Sequence, residues 1–252
     1  MFTPFAFIQT LPPISQNDLD FWYDYSLGSY NANYSSSNLA PSVGAYLDFD
    51  MSLSGSGTNP TFDTGFNAWL FPSQSNSSIV GKSFGWVNSG SSPQPLPDDV
   101  YSIFVVFKPN IFPAYNVDYN TIFELTETDT MDLRIAYQAN LTNRPVIEWQ
   151  VSSYDAIWDA TGFGVDFTNW AILQIDYSSA NNPSGNAQLY INNKTIGNAF
   201  LAVGLSTNKD AISVAESFGG YIGAVGGYDR ILSAAERNEL HSYYMRRYNI
   251  PS

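Results

Sequence analysis

The sequence predicts an all-β chain closed by one short C-terminal helix. Three observations point there. Aromatic residues make up 16% of the 252 residues and charged residues only 13%, a balance of strand formers over solvating groups that disordered chains do not show. Short runs of β-branched and aromatic residues recur along the chain, separated by turns of Gly, Pro, Asn and Ser. Only the last stretch, Ser233 to Asn249, carries both a helix start and a helix stop.

Residues 1–17 begin apolar, with Phe2, Phe5, Phe7 and Ile8 and no polar alternation, and end in the turn-like Pro12-Pro13 and Ser15-Gln16-Asn17. Such an arm is expected to be buried, either as an edge strand on its own domain or as a docking segment on a neighbouring subunit or scaffold. Leu19 to Asp24 alternates acidic and aromatic residues and opens the folded domain, which extends from 18 to 252. Residues 26–45, rich in Ser, Asn, Tyr and Gly, read as a long surface loop. From Pro60 to Trp86 short strands follow, with Phe62, Phe66, Trp69, Leu70 and Phe71 as their bulk. Residues 88–99 form a flexible connection without a domain boundary, because strong strands lie on both sides.

Tyr101 to Pro109 is a core strand that ends where proline offers no N–H to the ladder. Thr121–Leu125 and Met131–Tyr137 form a hairpin around residues 127–130, and Pro145 to Val151 supplies the next strand. Asn169 to Tyr177 alternates, and a turn at 181–186 leads into Ala187 to Gly197, folded tightly at Asn192-Asn193, where asparagine tolerates positive φ. The small residues after Gly219 suit a strand that another backbone approaches closely. In the helix, Ser233 and Glu236 form a capping box, and Leu240 and Tyr244 define one face flanked by Tyr243 and Tyr248. Arg246 and Arg247 complement the negative end of the helix dipole, Asn249 suits the left-handed turn beyond it, and Pro251 forbids continuation.

The run from Tyr228 to Arg237, with Tyr244 and Arg247-Tyr248-Asn249-Ile250 after it, resembles the ending of laminin-G-like, concanavalin A-like modules. The opening at Leu19–Asp24 and the Asn192-Asn193 hairpin are similar to the same family, so the resemblance spans about residue 18 to 252. It implies a two-sheet antiparallel jelly-roll sandwich with the helix covering one flank. The family's usual loop turn is missing from residues 26–45, which removes support for a ligand site built there. Modules of this type look like those of tailed bacterial viruses. The resemblance therefore implies a non-enzymatic virion surface protein, a decoration or fibre-associated subunit that docks on other virion proteins and forms a homo-oligomer. Its alternative is a glycan-binding lectin-like module, with a glycoside hydrolase the weakest reading.

The net charge of −13 and a pI near 4.1 exclude a nucleic-acid partner, since nothing could neutralise phosphates. With no cysteine, disulfides and thiolate metal sites are excluded. The first residues lack the basic region of a signal peptide and no run suits a bilayer, so synthesis in a host cytoplasm without export is expected, and the sequons at Asn33, Asn76, Asn140 and Asn193 are expected to stay bare. Glu124 and Glu127, three apart in a strand, point to opposite faces and do not form the paired carboxylates of a glycosidase; a solvated acidic hairpin is expected. His241, the only histidine, is expected at the helix surface or in its packing. No cofactor is expected beyond calcium, for which Asp155, Asp159 and Asp166 offer oxygen ligands in one loop region. A sugar ring would stack on Trp86, Tyr154 or Trp158, whose other reading is core packing.

Overall fold

A computed structural model describes residues 14–15, 17–24, 38–39, 51–54, 59–71, 83–87, 100–110, 120–127, 130–139, 145–151, 154–159, 162–164, 168–178, 187–199, 211–215 and 218–252. Phe2, Phe5, Phe7, Ile8 and Asp166 lie outside them. The strands are β1 (Leu19–Asp24), β2 (Asn38–Leu39), β3 (Met51–Ser54), β4 (Thr61–Asp63), β5 (Ala68–Phe71), β6 (Ser83–Val87), β7 (Val100–Pro109) and β8 (Asn120–Glu127). They continue as β9 (Thr130–Ala139), β10 (Pro145–Val151), β11 (Tyr154–Asp159), β12 (Ala171–Ser178), β13 (Ala187–Ile191), β14 (Lys194–Ala199), β15 (Ala211–Val214) and β16 (Gly220–Tyr228). The helix α1 spans Ala234–Arg247.

These strands form two antiparallel sheets. One runs β14-β13-β12-β7-β16-β5-β4, with β1 also paired to β16; the other runs β11-β10-β9-β8-β15-β6-β3-β2. The result is the jelly-roll-like sandwich with one short helix that the sequence implied. Alternation along β7 shows how the layers are made: Ile103, Val105 and Phe107 enter the core between the sheets, whereas Phe104 and Val106 enter a second core beneath α1. Phe21 and Phe123 stack across the sheets with centroids 5.8 Å apart. On β8 a bulge sets two residues against one of β9, and Ile122 and Phe123 are both buried.

The strand β1 buries its acidic residues, Asp20 and Asp24, along with its aromatic ones. Every residue is buried, because Phe21 and Tyr23 face the inter-sheet core while Leu19 and Trp22 face the helix layer. Asp24 is fully buried and accepts from the Tyr244 hydroxyl at 2.8 Å; that same hydroxyl accepts from Trp22 Nε1 at 2.9 Å. Burial in an apolar layer requires such pairing. Ile14, from the segment read as an arm, is buried in this helix layer of its own domain.

The ending from Tyr228 to Glu236 is a clasp. Arg230 binds Glu236 through two hydrogen bonds of 2.9 and 2.7 Å and donates to Asn17 O at 3.1 Å. Asp229 N donates to Asp18 O at 2.8 Å, and Leu232 N to the Ser102 hydroxyl at 3.0 Å. Ser233 and Glu236 complete the capping box. The hydrogen bonds from Arg230 hold the Glu236 carboxyl down at about 2. One short segment thus ties the opening of β1, the sheet and the helix start together. Among the described residues no helix is long and apolar enough to cross a membrane.

Candidate functional site

A concavity lies on the helix side, where the β4–β5 turn, the end of β7, the entry to β12 and the end of α1 meet. Asp63 builds the turn: its Oδ1 accepts from Gly65 N at 2.8 Å and Phe66 N at 3.3 Å, and its Oδ2 accepts from the Tyr221 hydroxyl at 3.5 Å. Asn67 then takes a positive φ of 50°, which reverses the chain into β5. The turn thereby lifts Phe66 into solvent, where it is 42% exposed.

A floor of rings supports it. Phe66 meets Tyr221 edge-on at 5.0 Å and Trp170 at 6.1 Å, and Trp170 packs on Tyr248 at 4.3 Å. Tyr248, the residue that ends α1, donates its hydroxyl to Asn67 O at 3.3 Å. It can lie that close to the sheet because position 223 is glycine; a Cβ there would collide with its ring. Beyond it Asn249 adopts the left-handed φ of 51° expected after the helix. The resulting hollow, ≈ 390 Å³, is lined by Gly65, Phe66, Asn67, Lys108, Asn169, Trp170, Arg247, Tyr248 and Asn249. Its described lining holds an exposed ring, three side-chain amides and two cations, groups whose chemistry suits stacking on and hydrogen bonding to a small polar ring.

Beneath α1 lies a second polar constellation. Asn193 N donates to His241 Nδ1 at 2.8 Å, which places the imidazole proton on Nε2, 3.2 Å from Gln174 Oε1. Gln174 Nε2 and the Ser102 hydroxyl both donate to Asp176 Oδ1, at 2.7 and 2.6 Å. Serine, histidine and aspartate therefore share one network, but in the wrong order for nucleophilic catalysis. The serine contacts the aspartate, glutamine separates the histidine from both, and all four are buried. Burial, reinforced by the Arg237 charge, pushes the His241 imidazole down to about 3, so it is neutral. Burial raises the Asp176 carboxyl against the opposing effect of its donors and of Arg237.

The residues singled out from the sequence lie on the other sheet. Trp86 is on β6, paired with Ile212, and Tyr154 and Asp155 open the edge strand β11. Trp158 is 5% exposed within the inter-sheet core, which removes it as a stacking platform. Asp159 is exposed at the end of β11, and among the described residues no group of three carboxylates or histidines gathers as a metal site. Glu124 is a correction: it is buried, at 9% exposure, with Arg134 opposite it in the ladder, and so is not part of a solvated hairpin. Sequence reasoning read Phe66 as bulk and Trp170 as strand alternation. The signal available was Asp63-Thr64-Gly65-Phe66-Asn67, a turn with a phenylalanine at its tip.

No family model matches the sequence, and no curated protein matches it. Solved structures do. Domain 4 of AbnA, an extracellular arabinanase of Geobacillus stearothermophilus solved with arabinotriose, superposes with a TM-score of 0.58 at 14% identity, covering 89% of this chain and 98% of that one. The binding domain of botulinum neurotoxin DC with SialylT gives 0.60 at 14% identity, over 90% of this chain and 52% of that chain. Trypanosoma rangeli sialidase with sialic acid gives 0.56 at 12%, over 90% and 33%. The chain thus spans nearly the whole arabinanase domain, half of the toxin domain and a third of the sialidase, and at these identities what it shares with them is the lectin-like β-sandwich fold.

Proposed function

We propose that this chain is a non-catalytic carbohydrate-binding module whose contact surface is the helix-side hollow. The observation that carries the reading is the exposed Phe66 ring held against Trp170 and Tyr221, with Tyr248 packed on Trp170 and with Asn67, Asn169 and Asn249 around it. Aromatic faces take the apolar face of a sugar ring, and amides both donate to and accept from its hydroxyls. The sandwich neighbours solved with arabinotriose, SialylT and sialic acid give the same direction at the level of fold. The described lining holds no carboxylate, whereas glycoside hydrolysis uses a pair of them, so the module is read as non-catalytic.

A glycan array probed with the intact chain and with Phe66→Ala tests this. Binding to a defined set of glycans, weakened by about tenfold in the variant at unchanged folding, is the expected result. Silence across the array, or equal binding by the variant, contradicts the reading.

A further inference from the structure

We infer that the ligand of this hollow is a saccharide bearing a carboxylate. The inference rests on the hollow being the carbohydrate site and adds its charge class. The chain carries 10 Lys and Arg against 23 Asp and Glu, yet two of those cations, Lys108 and Arg247, line the hollow, and no carboxylate among the described residues does. In a strongly acidic molecule, a concavity of the opposite sign selects anions and draws them in.

The two cations are positioned differently. Lys108 Nζ lies over one face of the Phe66 ring, 5.2 Å from its centroid, which leaves the ring's other face and edge for a sugar with the ammonium close by, and no carboxylate among the described residues pairs with it. Arg247 is held by its neighbour in the helix, donating from Nη1 to the Tyr243 hydroxyl at 3.1 Å with its guanidinium 5.9 Å over the Tyr243 ring. The Asp63 carboxylate, at the turn itself, is engaged by Gly65 N, Phe66 N and the Tyr221 hydroxyl. A sugar carboxylate stacked above Phe66 would therefore meet Lys108 first. Helix C-terminal carbonyls repel anions, and Arg246 and Arg247 in the last turn offset them.

Two sources share this chemistry, uronic acids of plant or microbial polymers and terminal sialic acids. Calorimetric titration with trigalacturonic acid and its methyl ester, and with 3′-sialyllactose and its methyl ester, separates them, since each pair differs chiefly in the acidic group. The acid is expected to bind about three- to tenfold more tightly than its neutral partner in at least one pair, with the advantage shrinking as salt is raised. Lys108→Gln and Arg247→Gln, each checked for an unchanged melting temperature, are expected to lower that acid-to-neutral ratio. Equal affinity of acid and neutral partner, with binding still sensitive to Phe66→Ala, overturns the charge inference and leaves the carbohydrate reading standing. Absence of binding by all four probes together with silence on the array overturns both.

Discussion

At the scale of single residues, burial decides protonation. His241 has no exposed surface, accepts from Asn193 N and faces Gln174, with the Arg237 charge nearby. Its folded value of about 3 lies below the ordinary histidine value near 6.5, so the unfolded chain binds the proton first as pH falls. The stability contributed by neutral His241 is therefore complete above pH 6.5 or so and is lost on acidification toward 3. Because this is the only histidine, urea melts between pH 7.5 and 5 isolate it. Wild type is expected to lose about 2 kcal/mol over that range relative to His241→Gln. Asp176, whose raised carboxyl works with the opposite sign, is present in both proteins and drops out of the difference. Parallel pH profiles for the two would contradict the buried assignment.

At the scale of elements, the contact between β16 and α1 determines whether the hollow exists. Gly223 admits the Tyr248 ring, and Tyr248 carries Trp170, so the floor under Phe66 depends on one missing methyl group. Gly223→Ala is expected to cost about 1–3 kcal/mol through overpacking, and Tyr248→Leu should absorb much of that cost in the double variant. Additive losses in chemical denaturation would show that the two do not touch. The helix itself was readable from sequence because its start and stop are local chemistry: the Ser233 and Glu236 box and the left-handed Asn249 form as expected. So was the Asn192-Asn193 hairpin, whose φ values of 50° and 63° are those asparagine supports. The buried Asp24 and Glu124 were not readable, since a period-of-two pattern shows which residues share a face but not whether another layer covers the polar one.

For the molecule as a whole, a helix laid across one sheet converts a two-layer sandwich into three layers, and the seam between helix and sheet forms the hollow. Its lining comes from Gly65–Asn67, Lys108, Asn169–Trp170 and Arg247–Asn249, segments scattered over most of the chain. No local motif could announce it, which is why the aromatic and acidic clusters legible around Tyr154 to Asp159 drew attention to the opposite sheet. Fold was legible because turn chemistry and alternation repeat in each segment; the site was not, because only tertiary packing assembles it. The most direct measurement is a crystal structure of the chain with the tightest-binding array glycan. A sugar ring stacked on Phe66 and hydrogen-bonded by Asn67, Asn169 or Asn249 is the predicted result, whereas a sugar seated against Trp86 or Tyr154 with the hollow empty would contradict it.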